Sequence, residues 1–282
     1  MIKPRATFTD FAFEHVDSVG RGFISIFTYT AQVLLMVYLS VRAAVYDQSQ
    51  GLRTVFSVVS AQVYFTGFQA LPLISVLALA TGAICVLESF AQLQLLGQSS
   101  MVGNLLITII VREVGPLLTA LIVVARSGTA VATEIGNMRA NREIEALETM
   151  GINPLSYIVF PRLLGGTLSV VCLAFYFNIV ALFGGFLVVS LVKDMPFSFY
   201  CDLLANSITL DDIGMFLLKN TFSGLIIFVV CCYQGLTVQQ SAHEVPAMTT
   251  KAVVNAIIYV VVFNLGVSML FYIRQLQGWG LI

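Results

Sequence analysis

Apolar residues run through this chain in long blocks, broken in few places by charge. A helix needs about 20 mostly apolar residues to cross the hydrocarbon core of a bilayer, and five blocks reach or approach that length. Leu71 to Leu87 carries no charge and continues past Glu88 to about Leu96. Met101 to Ala125 is apolar except for Arg112 and Glu113. Leu163 to Val192, Ile213 to Leu236 and Ala252 to Ile273 complete the set. The glycines and prolines inside these blocks (Pro72, Gly82, Pro116, Gly165, Gly166, Gly184, Gly185) suit membrane helices, which pack through small residues. The pattern predicts an all-α integral membrane protein with five transmembrane helices.

The block Phe23 to Val41 is long enough to span, yet Ser25, Thr28 and Gln32 recur at helical spacing and predict a polar stripe. Arg21 and Arg42 bracket it. An interfacial helix is the preferred reading, although the polar face lacks the Lys/Arg richness usual for that class. Tyr46 to Ala70 holds Asp47, Gln48, Gln50, Arg53 and Gln62 and reads as a membrane-surface connection. The chain thus divides into residues 1–70, an N-terminal region with an interfacial elbow helix, and residues 71–282, a five-span domain.

Composition agrees with a membrane protein. Hydrophobic residues make up 58% of the 282, charged residues 10%, and mean hydropathy is +0.92, whereas soluble domains carry about 25% charged residues. The net charge of −1 and the absence of a Lys/Arg run give no reason to expect a nucleic-acid partner. The first 20 residues are polar, with Lys3, Arg5, Asp10, Glu14 and Asp17, so secretory processing is not expected. Cys85, Cys172, Cys231 and Cys232 lie in apolar blocks and Cys201 is alone in a polar loop, as packing residues would. His15 and His243 are isolated, and no metal site is expected.

Positive charge fixes orientation. Lys3, Arg5, Arg21, Arg42 and Arg53 precede the first span, and Arg126, Arg139, Arg142 and Arg162 flank or occupy the loop after the second. The loop Lys193 to Lys219 sets two lysines against Asp194, Asp202, Asp211 and Asp212. The N-terminus and the second loop are therefore expected in the cytoplasm. The acidic loop, about 193–212, and Trp279 are expected outside. If Phe23 to Val41 spans, only the N-terminus changes side.

Within the second loop, Glu134 to Pro154 is an island of charge: Glu134, Arg139, Arg142, Glu143, Glu145 and Glu148. Asn141 suits an N-cap, Glu143 and Glu145 favour the positive end of a helix, Gly151 suits the C′ position and Pro154 stops continuation. Ile144, Leu147 and Met150 (or Gly151) recur at three-residue spacing as an apolar ridge. The plain reading is a solvated connector. The functional one is a grip for another subunit. The chain contains no G-x-x-x-x-G-K-[ST] loop, so any ATP and Mg would be bound by that subunit, with no cofactor of the chain's own.

Arg112 and Glu113 fall near the middle of the second block, where a charge costs about 2.5–3.5 kcal/mol on insertion scales and faces a partner or a wet cavity. Pro116, at i+4 from Arg112, removes the hydrogen bond to the Arg112 carbonyl and favours a kink. Either an ion-pair network locks the helices, or both charges line a lipid cavity. Glu88, at the end of the first apolar run, sits at the mouth of such a cavity or marks the interface. Val76, Leu79, Ala83 and Leu87 would supply an apolar wall.

The run Val111 to Arg162 resembles the MlaE/YrbE-type permease family of lipid-trafficking ABC transporters, which work with MCE-domain proteins. The match lies in Arg112, Glu113, Gly115 and Pro116, then Ala125-Arg126-Ser127-Gly128, and Glu134, Gly136, Met138 and Arg139. Ala146, Leu147, Met150, Pro154, Pro161 and Arg162 complete it. The resemblance implies a bacterial inner-membrane permease working as a homodimer, with a phospholipid or related lipid held between the copies. It also implies an ABC ATPase subunit and an MCE-domain partner on the outer face. Glu134 to Gly151 would be the coupling helix, with Glu134, Met138, Arg139, Arg142, Glu143, Leu147, Glu148 and Met150 meeting the ATPase. Arg112, Glu113, Glu88 and Pro116 would belong to the lipid path. One departure stands out: the family usually has Thr-Glu-Gln where this chain has Asn141-Arg142-Glu143. The acid moves one position, about 100° around a helix, which implies a matching change in the ATPase. The rival reading is an ion- or proton-coupled secondary transporter using Glu88 and Glu113, although no inverted repeat supports it. An intramembrane enzyme lacks any Ser/His/Asp set, and an inert anchor leaves Arg112 and Glu113 unexplained.

Overall fold

The computed structural model describes residues 8–46, 52–95, 102–193, 196–239 and 241–278. It contains α1 (Phe8–Tyr46), α2 (Leu52–Thr66), α3 (Leu71–Leu95), α4 (Val102–Leu106), α5 (Gly115–Val123) and α6 (Thr129–Ala140). After these come α7 (Glu143–Thr149), α8 (Phe160–Lys193), α9 (Phe197–Ala205), α10 (Leu210–Leu236) and α11 (Val245–Gly278). No strand occurs among the described residues. Five helical runs are long and apolar enough to cross a membrane: Val55–Gln92, Gly103–Ala140, Leu155–Leu191, Leu210–Leu236 and Ala242–Gln277. The protein is an all-α integral membrane protein.

The first run starts well before Leu71. Of the polar residues expected to hold Tyr46 to Ala70 at a surface, Asp47, Gln48 and Gln50 lie outside the described residues. Arg53 is in the first turn of α2, and Gln62 is buried, its Nε2 donating to Thr66 Oγ1 at 2.7 Å. With that amide bonded within the helix, α2 packs on α8. A bend at Gly67 and a 3₁₀ turn at Phe68–Ala70 then lead into α3.

Spans 1 and 3 run parallel. Gln62 meets Gly165, Ser75 Oγ lies 2.7 Å from Tyr176 Oη, Gly82 abuts the Ala181 carbonyl, and Gly185 receives Val86. Spans 2 and 4 are parallel as well, with Gly128 against Cys231 and Gly235 against Ile135. Span 4, α10, is the hub: 67% of its most apolar stretch is buried, against 22% for the α11 run. It packs antiparallel on α8, where Gly166 meets the Phe228 ring, and on α11, where Asn264 Nδ2 donates to Ser223 Oγ at 2.9 Å.

The second half of α1 lies against the halves of α10 and α11 nearest the charged island and against residues 155–159. Two of its polar residues meet α10. Gln32 Oε1 accepts from Tyr233 Oη at 2.6 Å, Tyr29 Oη accepts from Gln234 Nε2 at 3.0 Å, and Thr28 Oγ1 donates to its own helix at the Ile24 carbonyl. The Ser25 side chain and Trp279 lie outside the described residues.

Candidate functional site

Span 2 is an interrupted helix. Gly115 N–H reaches back to the Ile110 carbonyl and Thr129 N–H to that of Val124, closing π-helical turns at Ile107–Val114 and Val124–Gly128. Pro116, expected to kink the helix, follows directly on the first of these. With no N–H at Pro116, the Arg112 carbonyl is taken instead by Lys219 Nζ at 2.7 Å. Side-chain cations and anions complete this point. Arg112 Nε pairs with Asp212 Oδ1, and its guanidinium lies 5.0 Å from the centroid of the Phe271 ring. Lys219, fully buried, donates to Glu113 Oε2 at 3.0 Å and to Ser268 Oγ at 2.7 Å. Ser268 Oγ in turn donates to Glu113 Oε2 at 2.8 Å. Two cations and two anions from α10 and span 2 thus form a neutral cluster closed by α11. Only Glu113 keeps substantial exposure, 34% of its side chain, so its carboxylate is the cluster's open edge.

Asp212 has a second duty. It is the third residue of α10, and its Oδ2 accepts from Thr209 N at 2.8 Å and Thr209 Oγ1 at 2.7 Å in a capping box. Thr209→Val is expected to cost about 1 kcal/mol, the usual value of such a cap, read as a small drop in the thermal midpoint of the purified protein.

Of this cluster, Arg112 and Glu113 are expected from the sequence, whereas Asp212, Lys219, Ser268 and Phe271 are not. Asp212 and Lys219 are expected in an outward loop. They lie in α10, which starts at Leu210 rather than Ile213. The available signal was the seven-residue spacing of Asp212 and Lys219, which places an acid and a base on one helical face. Glu88 is exposed on α3 and takes no part in the cluster. Val76, Leu79 and Leu87 are exposed on the same helix.

At the other end of span 2 the island divides in two. Glu134, Met138 and Arg139 belong to α6, the continuation of the span, where Glu134 Oε1 accepts from Arg162 Nη2 at 2.7 Å and Met138 packs against the core. Asn141 does not cap a new helix. It ends α6, its N–H bonded to the Asn137 carbonyl, because the span's own helix runs on to Ala140. Arg142 then takes a left-handed conformation, φ 60°, and α7 begins at Glu143. The C-terminal expectation fares differently. Gly151 has φ 76°, its N–H bonds the Glu148 carbonyl at 3.0 Å, and Ile152 N–H bonds that of Leu147 at 3.0 Å, a Schellman end.

Ile144 and Leu147 of the apolar ridge face inward, and Met150 does not. Ile144 is buried and Leu147 packs on the core, while Arg142, Glu143, Ala146, Glu148, Thr149 and Met150 are exposed. A left-handed non-glycine residue costs about 1–2 kcal/mol.

Arg112 and Glu113 lie on the shaft of span 2, and α7 follows its far end across the break at Asn141 and Arg142. From Arg112 to Ala140 the rise is roughly 40 Å.

Among known proteins, the family description Permease MlaE matches residues 59–270. A Rickettsia bellii protein, "Probable ABC transporter permease protein", is 30% identical over 217 residues, 77% of this chain and 84% of its own length. The Haemophilus influenzae "Intermembrane phospholipid transport system permease protein MlaE" is 26% identical over 242 residues, covering 86% of this chain and 91% of its own. A Synechocystis "Probable ABC transporter permease protein slr1045" is 30% identical over 184 residues, 65% of this chain and 68% of its own.

Proposed function

From its membership of the MlaE permease family, to which this chain belongs, we propose that it is the lipid-conducting subunit of an ABC transporter. It moves phospholipid or a related lipid between the bacterial inner membrane and an MCE-domain partner. A separate subunit binds ATP and Mg, and two copies of this chain hold the lipid between them. The N-terminus and α7 face the cytoplasm. The chain performs no covalent chemistry.

One observation carries this reading: the span that brings Arg112 and Glu113 to the intramembrane charge cluster leads, past its other end, into an exposed polar helix. Ile144 and Leu147 fix α7 to the bundle, leaving Arg142, Glu143, Glu148 and Met150 for the ATPase groove. When ATP draws the two ATPase subunits together, each α7 moves with its partner, and the shaft carries that displacement to Arg112 and Glu113. The open carboxylate of Glu113 meets the polar part of the lipid. Arg112, held by Asp212, keeps the π-helical turn in place. Direction is imposed by the ATPase's different affinity for the two conformations.

The test is co-purification from native membranes, with ATPase assay and lipid mass spectrometry. Wild type is expected to carry an ATP-hydrolysing subunit and phospholipid. Met150→Arg with Glu148→Lys is expected to lose the ATPase and keep the lipid, since neither side chain holds the fold. Wild type emerging alone, with ATP-independent transport, refutes the proposal in favour of a secondary transporter.

A further inference from the structure

The last turns of α1 meet the start of the third membrane-crossing run around a cleft of about 490 Å³. Leu39, Arg42, Ala43 and Tyr46 line it from α1, and Asn153 and Leu155 from the other side. Its volume is in the range of about 300–1,000 Å³ typical of ligand pockets. Leu155 is the first residue of the run that crosses the membrane as span 3. The cleft therefore stands at headgroup height, in the leaflet on the α7 side.

Its polar side chains offer donors, and no acid lines it. Arg42 is exposed and makes no ion pair or hydrogen bond among the described residues. Its guanidinium lies 5.9 Å from the centroid of the Tyr46 ring, which covers one face and leaves the N–H edge open. The acceptor of the Asn153 amide is already taken, since Oδ1 accepts from Leu155 N at 3.0 Å. That fixes the amide and leaves its two Nδ2–H donors free. A phosphate oxygen meets a guanidinium and an amide here, a charge-assisted pairing, whereas an ammonium meets no carboxylate. The approach to these donors is apolar. Leu35 and Tyr38, 59% and 62% exposed, precede Arg42 by seven and four residues and share its face of α1.

We infer that this cleft holds the phosphodiester of an anionic phospholipid whose headgroup ends in hydroxyls rather than an ammonium, such as phosphatidylglycerol. Its acyl chains run along Leu35 and Tyr38 into the leaflet. The bound lipid ties α1 to the segment that follows Gly151 at the end of α7. It lies apart from the charge cluster of Arg112 and Glu113, which is at the other end of span 2.

The experiment uses the full chain in phosphatidylcholine proteoliposomes doped with phosphatidylglycerol or phosphatidylethanolamine. Each doped lipid carries the same photoreactive diazirine on one acyl chain, and adducts are mapped by mass spectrometry. No ATP or partner protein is needed, so the outcome is separate from that of the transport proposal. With phosphatidylglycerol, adducts at Leu35, Tyr38 and Leu39 are expected to exceed severalfold those at the exposed Leu265 and Leu270 of α11. Phosphatidylethanolamine should show no such excess. Arg42→Gln should lower the excess about tenfold through loss of the charge-assisted bonds, with Arg42→Lys between it and wild type. Asn153→Asp keeps the acceptor that Leu155 needs but sets a negative charge against the phosphate, so it should remove the excess without lowering the thermal midpoint. If that variant fails to fold, Arg42→Glu, at an exposed position, replaces it. Excess inorganic phosphate should leave the adducts in place. Adducts lost to inorganic phosphate would mark a site for free anions, and equal labelling by the two lipids, or labelling that survives these substitutions, would mark bulk lipid; each overturns the inference.

Discussion

Lys219→Met is expected to destabilise the protein more than any other single change in the charge cluster. The ammonium is fully buried and satisfies three acceptors at once: the Arg112 carbonyl, Glu113 Oε2 and Ser268 Oγ. Removing one member of a buried ion pair costs about 3–5 kcal/mol, because the other charge is left uncompensated. Here the carbonyl released by Pro116 is orphaned too. Glu113→Gln should cost less, since the amide oxygen still accepts from Lys219 and Ser268 although the ammonium loses its counter-charge. Replacing both members by apolar residues is often neutral or stabilising, so Lys219→Met with Glu113→Leu should recover much of the lost stability. Transport should stay abolished in the double variant. Thermal unfolding in detergent for the two singles and the double checks this. A Lys219→Met protein as stable as wild type would mean that the buried ammonium is not held by these acceptors.

Gly82→Ala is expected to prevent assembly of spans 1 and 3. The added methyl would run into the Ala181 backbone rather than a side chain that can turn away. Overpacking usually costs about 1–3 kcal/mol, and a backbone obstacle on a 34-residue helix puts this case at or above the upper end. Gly214→Ala is the matched control. It also lies within a helix, but nothing stands within 4 Å of the added carbon, so higher helix propensity should leave stability unchanged or raised. Yield of folded monodisperse protein from membranes distinguishes them: loss for Gly82→Ala and wild-type behaviour for Gly214→Ala. Equal yields would remove the close contact of α3 and α8 as a determinant of the fold.

The spans were legible because hydrocarbon leaves a chain little choice, and each of the five apolar blocks overlaps a long helical run. Their ends were less so. Gln62, Asp212 and Lys219 looked like surface residues because a sequence shows polarity without showing the partner that satisfies it. The partners of Arg112 and Glu113 lie about 100 residues away or more. Ser268 and Phe271 carried no signal at all, being ordinary in an apolar helix. At the island, Gly151 was readable because the left-handed region favours glycine. Asn141 misled because capping preference is local, whereas the helix before it was already propagating from the membrane. The exposed face of α7 was hidden for a similar reason: periodicity identifies an apolar ridge without saying whether it faces the bundle or a visitor.

The π-helical turns of span 2 bear on how this protein can change length. Each such turn accommodates a surplus residue while the helix on either side keeps its heading. Removing one residue from an ordinary α segment rotates everything beyond it by about 100° and would swing Glu134 away from Arg162. Removing one from Val124–Gly128 instead lets that turn revert to α geometry with both flanks still in phase. Single-residue gaps in relatives are therefore expected to collect at such turns, the places along the shaft where a deletion leaves the facing pairs intact.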